Sequence, residues 1–248
     1  MTDFNEYQGT VKLTYKDGRI YDGDFVDGER QGQGKMTFAD GTIYEGEFRN
    51  DLPNGTGAFK WSNNGEFYVG EVKDGNVHGN GTFTYSDGFI YEGNFKKSKR
   101  HGQGIYKRPD GNVVYDGDFK NNDQHGDGTA YLVNGNVLYK GGWKANEPHG
   151  KGVMNYANGN VYVGEWVDGN KHGQGRMTYA NKEVYNGQWM NDKRHGKGTI
   201  TFPNGDVFSG EWTSQQQQKR DVNSSQDVVD ETNNGSTTAK RPKVEVSP

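Results

Sequence analysis

Aromatic and apolar residues alternate with polar residues along most of the chain, and this alternation recurs at a fixed period. Residues 162–184 have the sequence YVGEWVDGNKHGQGRMTYANKEV, and residues 185–207 have the sequence YNGQWMNDKRHGKGTITFPNGDV. Each copy begins with an aromatic residue, a glycine and a second aromatic residue at alternate positions, and a second alternating segment follows a short loop. Because alternate side chains of an extended strand share one face, each copy predicts two half-buried strands joined as a hairpin.

The pattern runs through the whole chain at intervals of 23 or 24 residues. The first aromatic residues of the copies are Tyr21, Tyr44, Tyr68, Tyr91, Tyr115, Tyr139, Tyr162, Tyr185 and Phe208. Self-similarity at a fixed period is typical of repeat architectures, and the Asn-Gly and Asp-Gly pairs between copies favour hairpin turns. The sequence therefore predicts an all-β fold, an elongated single-layer antiparallel sheet of consecutive β-hairpins with about 17 strands.

The histidines follow the same period. All six occupy one repeat position: His78, His101, His125, His149, His172 and His195. Residues 170–175, NKHGQG, would resemble a glycine-rich phosphate loop beside a catalytic histidine if they were taken alone. However, the Gly-x-Gly pairs lie inside predicted strands rather than at a strand-to-helix turn. Adjacent repeats should also lie about 10 Å apart, too far for neighbouring histidines to share a metal ion. We therefore predict a structural role for the repeated His-Gly-x-Gly motif, and we predict no catalytic, cofactor or metal site.

The composition restricts both the core and the partners. Only 29% of the residues are hydrophobic, whereas 39 are glycine and 13% are aromatic. Rings can pack over glycines of a neighbouring strand, which is the only core that such a chain can build. The absence of cysteine excludes disulfides and thiolate sites. A net charge of −4 gives no general attraction to nucleic acid. No signal peptide or apolar membrane span is visible, so a cytoplasmic location is expected.

The motif Tyr-x-Gly-Glu-Trp, followed by a short loop, His-Gly-x-Gly and Asn/Asp-Gly, resembles the MORN repeat (membrane occupation and recognition nexus). Eight complete copies occupy residues 21–207, with half-copies at 13–20 and 208–212. We therefore expect a lead-in with a half-repeat strand over residues 1–20, a repeat array over 21–212 and a tail over 213–248. The resemblance implies a non-enzymatic scaffold or adaptor, since many such proteins organise cytoskeletal, ciliary or membrane-contact assemblies and some dimerise.

Two surfaces are candidates for binding. Exposed aromatic rings make good anchors for a protein partner, and the candidate rings are Trp143, Tyr162, Trp166, Tyr185, Trp189 and Trp212. The simpler alternative is that these rings only pack on the glycines. Basic residues of the within-repeat loops should line one edge and could contact anionic lipids or phosphoinositides, and they are Lys96, Lys97, Lys99, Arg100, Lys171, Lys193 and Arg194. Aspartates occupy the same loops, so a solvated edge is the simpler explanation of this second set.

The C-terminal segment departs from the repeat pattern. Residues 213–248 are polar and poor in aromatic residues, so a disordered tail is expected. The basic cluster at residues 240–244, KRPKV, resembles a nuclear-import signal, which makes a nuclear location the alternative to a cytoplasmic one. The last strand, near Trp212, has no following strand, and an open strand edge can pair with another chain. A homodimer through this edge is therefore an expectation.

Overall fold

The computed structural model describes residues 8–213, which contain strands and turns and no helix. They form two compact units, the first ending at Asp123 and the second beginning at Gln124. The strands of the first unit are β1 (Gly9–Thr14), β2 (Ile20–Val26), β3 (Glu29–Thr37), β4 (Ile43–Arg49), β5 (Leu52–Lys60), β6 (Phe67–Lys73), β7 (Asn76–Thr84), β8 (Ile90–Lys96), β9 (Lys99–Lys107) and β10 (Val113–Lys120). Those of the second unit are β11 (Asp123–Tyr131), β12 (Val137–Lys144), β13 (Glu147–Asn155), β14 (Val161–Val167), β15 (Asn170–Thr178), β16 (Val184–Met190), β17 (Lys193–Thr201) and β18 (Val207–Trp212). The first residue of β11, Asp123, is counted in the first unit.

Within each unit every strand pairs antiparallel with the strand that follows it. The predicted all-β fold of consecutive antiparallel hairpins is thus confirmed. Residues 8–213 contain 18 strands rather than about 17, because the opening half-copy extends back to Gly9 and forms a complete strand, β1. Residues 1–7 and 214–248 lie outside the described residues, and these include the predicted disordered tail and the basic cluster at 240–244.

The turn inside each repeat has only two residues, and both have positive φ. Asn191 and Asp192, for example, have φ of 50° and 66°. Positive φ at both central residues is the requirement of a type I′ turn, whose twist matches that of the flanking strands. Asn, Asp and Gly supply this conformation at most of the eight turns, whereas Lys97, Ser98 and Ala145 adopt it despite the usual penalty for a Cβ atom.

The turn between repeats is longer and has a left-handed residue at its third position. Gly205, with φ of 90°, donates its N–H to the Phe202 carbonyl at 2.9 Å, and the Asp206 N–H is bound by Asn204 Oδ1 at 3.0 Å. The seventh repeat has Asn181-Lys182 where the others have an Asx-Gly pair. Lys182 nevertheless takes the glycine conformation, with φ of 72° and its N–H 2.9 Å from the Tyr179 carbonyl. The turn is kept and the backbone there is strained.

Replacement of Lys182 by glycine is therefore expected to stabilise the fold. A left-handed residue with a Cβ atom costs about 1–2 kcal/mol, and the greater freedom of glycine in the unfolded chain offsets part of that gain. We expect the free energy of unfolding to rise by about 1 kcal/mol, measured by urea denaturation. Lys182→Ala is the matched control, because it removes the same side chain but keeps the Cβ atom. A glycine variant no more stable than the alanine variant would contradict the assignment.

The core consists of aromatic rings that lie over glycines in a single layer. Tyr21, Tyr44, Tyr68, Tyr91, Tyr115, Tyr139, Tyr162 and Tyr185 are all 0% exposed. Tyr162 is typical: a Cβ atom on Gly175 of the next strand would lie 2.5 Å from its ring carbons. The ring contacts Trp166 and Trp189 edge-to-face at centroid distances of 5.0 and 5.4 Å, a favoured aromatic geometry. Its hydroxyl donates to the Glu165 carbonyl at 3.0 Å. Rings from successive repeats thus cover one another without a second layer.

Candidate functional site

The His-Gly-x-Gly motif forms a β-bulge. In the seventh repeat the register of β14 and β15 shifts between Gly164 and Glu165, and Gly173 has a φ of 57°. The exposed N–H of Gln174 is bound by Glu165 Oε1 at 3.1 Å. This contact explains the glutamate of Tyr-x-Gly-Glu-Trp, which binds a backbone donor that the bulge leaves without a strand partner.

The same bond recurs in the first unit. Thr56 donates from its hydroxyl and its N–H to Glu47 Oε1, at 2.6 and 2.8 Å, and these bonds lower the pKa of Glu47. The Asn80 N–H and side-chain amide do the same to Glu71. Hydrogen bonds to the ionised form lower the pKa of a carboxyl group, so the low pKa here results from a structural contact. The motif that resembles a phosphate loop is therefore an element of the strand pair.

The histidine position links successive hairpin turns. His149 Nδ1 lies 3.4 Å from the backbone nitrogen of Asp168, the first turn residue of the next repeat. In the first repeat Gln31 takes this position and donates to Asn50 Oδ1 at 2.9 Å. The turns are also joined by the backbone, since Asp192 donates its N–H to the carbonyl of a residue of the preceding repeat, Lys171, at 3.1 Å. Within residues 8–213, no three His, Asp or Glu side chains gather closely enough to hold a metal ion.

The MORN repeat model matches eight segments of the chain, at residues 21–43, 44–66, 68–89, 91–113, 115–137, 139–161, 162–184 and 185–207. The chain belongs to the MORN-repeat family. The β-bulge, the turns and the tyrosines that pack over glycines are therefore the structural features that the residues of the MORN motif form in this protein. No curated protein matches the chain significantly.

Solved structures resemble the chain only weakly. The TCP10 domain of Danio rerio CPAP in complex with a peptide of Danio rerio STIL is 13% identical, with a TM-score of 0.44, over 83% of this chain and 96% of that one. BamB from Moraxella catarrhalis is 9% identical, with a TM-score of 0.16, over 84% of this chain and 83% of that one. Likenesses at this level say nothing about what the chain binds.

The structure places the six predicted partner-binding rings in or beside the core. Tyr162, Tyr185, Trp166, Trp189 and Trp212 are at most 7% exposed. Trp143 is half-buried and donates its indole N–H to the Gly128 carbonyl at 3.1 Å, as Trp189 does to the Gly175 carbonyl. These rings hold neighbouring strands together, so they offer little surface to a partner of the folded chain.

A second aromatic row packs against the core on one side and is partly exposed on the other. In the second unit Tyr156, Tyr179 and Phe202 directly follow β13, β15 and β17, and each is partly exposed. They occupy one repeat position, and adjacent repeats are separated by two strand spacings, about 10 Å. These three residues were not among the predicted binding residues, because they stand at the entrance to turns. The signal was the aromatic residue that ends the second alternating segment, as in TYAN and TFPN.

Two cations lie on the same face. Lys171 Nζ is 5.4 Å from the ring centroids of both Tyr156 and Trp189, and 3.3 Å from the Tyr156 hydroxyl oxygen. The Arg194 guanidinium carbon lies 5.2 and 4.9 Å from the rings of Tyr179 and Tyr185. The Arg194 guanidinium group also donates a hydrogen bond to the Tyr179 hydroxyl oxygen at 2.6 Å. Cations over ring faces are stabilised electrostatically. The face therefore combines rings with fixed positive charges.

The predicted lipid-contact residues fall into two groups. Lys96, Lys97, Lys99 and Lys193 are exposed in or beside hairpin turns. The other three, Arg100, Lys171 and Arg194, lie against aromatic rings instead. The Arg100 guanidinium carbon is 5.2 Å from the Phe119 ring, and the group donates to the Asn122 carbonyl at 2.7 Å. Arg100, Lys171 and Arg194 are therefore directed to the aromatic face, whereas the four exposed lysines stay with the hairpin turns. In the described part of the chain, no helix is long and apolar enough to cross a bilayer.

Proposed function

We propose that this MORN-repeat chain is a non-enzymatic adaptor that binds an extended protein segment along the aromatic row of its second unit. The observation that carries the proposal is the row itself, in which Tyr156, Tyr179 and Phe202 are partly exposed at successive repeats, with Lys171 and Arg194 beside them. Aromatic and arginine side chains are enriched among residues that dominate protein–protein binding energy. The His-Gly-x-Gly bulges belong to the strand pairs, which supports a binding role rather than catalysis.

The spacing of the row favours a particular backbone. Rings at successive repeats are about 10 Å apart. A polyproline II segment advances about 9 Å in three residues and returns the same side to the surface. Such a segment could place every third side chain on the next ring with its backbone solvated, and aromatic-lined grooves are a known setting for this recognition. We therefore expect a proline-compatible segment with apolar residues three positions apart.

The charges favour an acidic segment. Lys171 Nζ has one acidic neighbour, Asp192, at 3.3 Å. Arg194 makes no ion pair within residues 8–213, and its described polar contact is with the uncharged Tyr179 hydroxyl. A guanidinium group held by ring faces still presents donors that suit a carboxylate. A carboxylate between the apolar residues of the segment would satisfy these donors.

The proposal is tested by panning a random peptide library against the full chain. Enriched peptides should share apolar residues three apart, with Asp or Glu between them. Recovery of no peptide, or of peptides that bind equally to a chain with Tyr156→Ala and Tyr179→Ala, would contradict the proposal. A vesicle arm addresses the alternative ligand, because Lys96, Lys97 and Lys99 are exposed around one turn. Flotation with phosphoinositide-containing vesicles at physiological salt would favour anionic lipid instead, and we expect none.

A further inference from the structure

Arg100, the second residue of β9, is surrounded by aromatic rings of the first unit. Its guanidinium carbon lies 5.7, 5.6 and 5.2 Å from the ring centroids of Tyr91, Tyr106 and Phe119. A cation near ring faces is stabilised electrostatically, so the rings hold the charge in one place. They also partly bury the side chain, and exclusion of water strengthens the attraction of a charge to any anion that reaches it.

The guanidinium group of Arg100 lacks partners. Nη2 donates to the Asn122 carbonyl oxygen at 2.7 Å, whereas Nε is buried with no hydrogen-bond partner among residues 8–213. Arg100 also takes part in none of the ion pairs that the described residues form. A partly buried charge without a counter-charge and a buried donor without an acceptor are both unfavourable in a folded chain. An added anion would therefore find an unsatisfied cation here.

Two other repeats show which partner is missing. In the first repeat Arg30 takes the position of Arg100, and Asp51 Oδ1 accepts from its backbone N–H at 2.9 Å and from its Nε at 3.0 Å. In the seventh repeat Lys171 takes this position, and Asp192 Oδ1 accepts from its backbone N–H at 2.9 Å and lies 3.3 Å from its Nζ. In both cases the second residue of the following hairpin turn supplies a carboxylate to the cation.

Opposite Arg100 this turn residue is Asn122. Its Oδ1 accepts from the Arg100 backbone N–H at 2.9 Å, and its own N–H donates to the Arg100 carbonyl at 3.0 Å. The amide thus keeps the backbone contacts that Asp51 makes and omits only the negative charge. The guanidinium donors that bind neither Asn122 nor any other residue of 8–213 are arranged in a planar fork, which suits a carboxylate.

We propose that Arg100 is the centre of a carboxylate-binding site on the first unit, and that its ligand is an Asp or Glu side chain of a partner protein. The ligand supplies the charge that Asp51 supplies to Arg30 within the chain. A phosphate group carries about 1.5–2 negative charges, whereas a carboxylate balances a single guanidinium group. This site is separate from the aromatic row of the second unit and does not depend on the function proposed for that row.

The rings beside Arg100 indicate the neighbours of the acidic residue. Tyr106 and Phe89 are partly exposed, and their rings stack with centroids 5.3 Å apart. Apolar side chains on either side of the acidic residue would pack on this aromatic surface and lose contact with water. We therefore expect an acidic residue flanked by apolar or aromatic residues.

The test is an NMR titration of the full chain with short peptides at physiological salt, observed at the arginine Nε–H groups. The probe is acetylated and amidated Phe-Glu-Phe. The Arg100 Nε–H signal, which Arg100→Lys identifies by its loss, should shift saturably. The blocked Phe-Gln-Phe analogue should bind at least about tenfold more weakly, because it lacks the charge. No saturable shift, or equal binding of the two peptides, would overturn the proposal.

Two further peptides separate other sources of negative charge. A blocked Phe-phosphoserine-Phe peptide presents a phosphate group, and Phe-Gln-Phe with a free C-terminus presents a terminal carboxylate. Both should bind more weakly than Phe-Glu-Phe. Tighter binding of either one would overturn the assignment to an acidic side chain.

Asn122→Asp places the missing carboxylate inside the chain. The new group should hold Arg100 as Asp51 holds Arg30, so Phe-Glu-Phe should bind at least about tenfold more weakly to a chain that stays folded. Asn121→Asp is the matched control, since it adds the same charge to an exposed residue of the same turn. Solvent screens such a charge, so the affinity should fall by less than about threefold. Unchanged affinity in Asn122→Asp, or equal losses in both variants, would contradict the site.

The reverse exchange should create a second site. Asp51→Asn removes the carboxylate from Arg30, whose guanidinium carbon lies 5.8 and 5.7 Å from the Tyr21 and Phe48 ring centroids. The Arg30 Nε–H signal should then respond to Phe-Glu-Phe, while it should not respond in the wild-type chain. Circular dichroism should show an intact fold, because the amide keeps an acceptor for the Arg30 backbone N–H. An unresponsive Arg30 in the folded variant would show that the missing carboxylate does not create the site.

Discussion

A Gly187→Ala variant should lose about 3 kcal/mol or more of its free energy of unfolding. A Cβ atom at this position would lie 2.5 Å from the Gly198 Cα atom and 2.6 Å from the Tyr185 hydroxyl oxygen. Relief requires the paired backbone to separate or the ring to leave its site. Overpacking of a well-packed core typically costs about 1–3 kcal/mol, and more where backbone must move. Urea denaturation followed by tryptophan fluorescence measures the loss.

The chain provides a matched control for this variant. Gly210 occupies the same first-strand position in the closing half-copy, but no strand follows it within residues 8–213. A Cβ atom there would meet the edge of the Phe208 ring at 3.2 and 3.4 Å and a Trp212 ring carbon at an ordinary contact distance of 3.9 Å, and the exposed Phe208 ring can shift. Gly210→Ala should therefore change the free energy of unfolding by less than about 1 kcal/mol. Equal losses in the two variants would mean that the rings do not determine the need for glycine.

The second large effect is expected at alkaline pH. Burial raises the pKa of Tyr21 and of Tyr185 to about 12, and it raises the pKa of Tyr44, Tyr68, Tyr91, Tyr139 and Tyr162 as well. An unfolded tyrosine ionises near 10, so the folded state binds these protons more tightly than the unfolded state. The resulting stabilisation is fully present below pH 10 and disappears as the pH rises through the folded pKa values. Because seven groups act together, unfolding should be steep and complete by about pH 12.

Circular dichroism and tyrosinate absorbance, recorded along one pH titration, measure this transition. The chain has 15 tyrosines, of which eight are 0% exposed. We expect the part of the tyrosinate absorbance that comes from these eight to change together with the circular dichroism, because buried tyrosines ionise only when the sheet unfolds. Tyr185→Phe is the matched variant, since it keeps the ring and removes one ionising hydroxyl. It should be about 1 kcal/mol less stable at neutral pH, through loss of the 2.9 Å bond to the Gln188 carbonyl, and less sensitive to alkali. Ionisation of all 15 tyrosines while the sheet remains fully folded would contradict the account.

The strands were predictable because aromatic or apolar residues alternate with polar residues along each of them, and this alternation can be read from the sequence alone. Every first strand contains the expected glycine between its aromatic or apolar residues, as in Tyr162, Gly164 and Trp166. β1 was only partly predictable, since Gly9 and Thr10 carry no pattern and become a strand through pairing with Phe25 and Asp24. Local sequence therefore predicted which segments are strands, and pairing determined where the first of them begins.

The packing of the rings over glycines was predicted from the sequence, whereas the contacts between rings of successive repeats were not. Trp166 and Trp189 were interpreted as candidate anchors, with packing on the glycines as the simpler alternative. In the structure Tyr162 packs between these two indoles, one from its own repeat and one from the next. This contact joins residues 27 positions apart in the chain, a separation that a 23-residue motif does not display.

The positions of Lys171 and Arg194 against aromatic rings were not predicted, because the hairpin turns are shorter than the sequence suggested. Residues 191–194 were interpreted as a loop, whereas the turn occupies only Asn191 and Asp192 and β17 begins at Lys193. Arg194 is thus a strand residue opposite Trp189, which directs it to the aromatic face. The two-residue turn depends on left-handed backbone conformations at both of its residues, and the sequence was interpreted as a longer loop at the Asp-Gly and the Asn-Asp turns alike.

The affinity of one enriched peptide for matched variants of the full chain tests the central claim most directly. The claim is that the buried rings build the sheet, while Tyr156, Tyr179 and Phe202 form the binding surface. Fluorescence polarisation, at a temperature where circular dichroism shows every variant to be folded, should show at least about tenfold weaker binding when Tyr156 and Tyr179 are both alanine. The free energy of unfolding of this variant should also fall, because the two rings pack against the core. Val163→Ala, on the opposite face of the sheet, should bind like the wild-type chain. Full affinity in the double variant, or equal loss in the control, would contradict this division between core and binding surface.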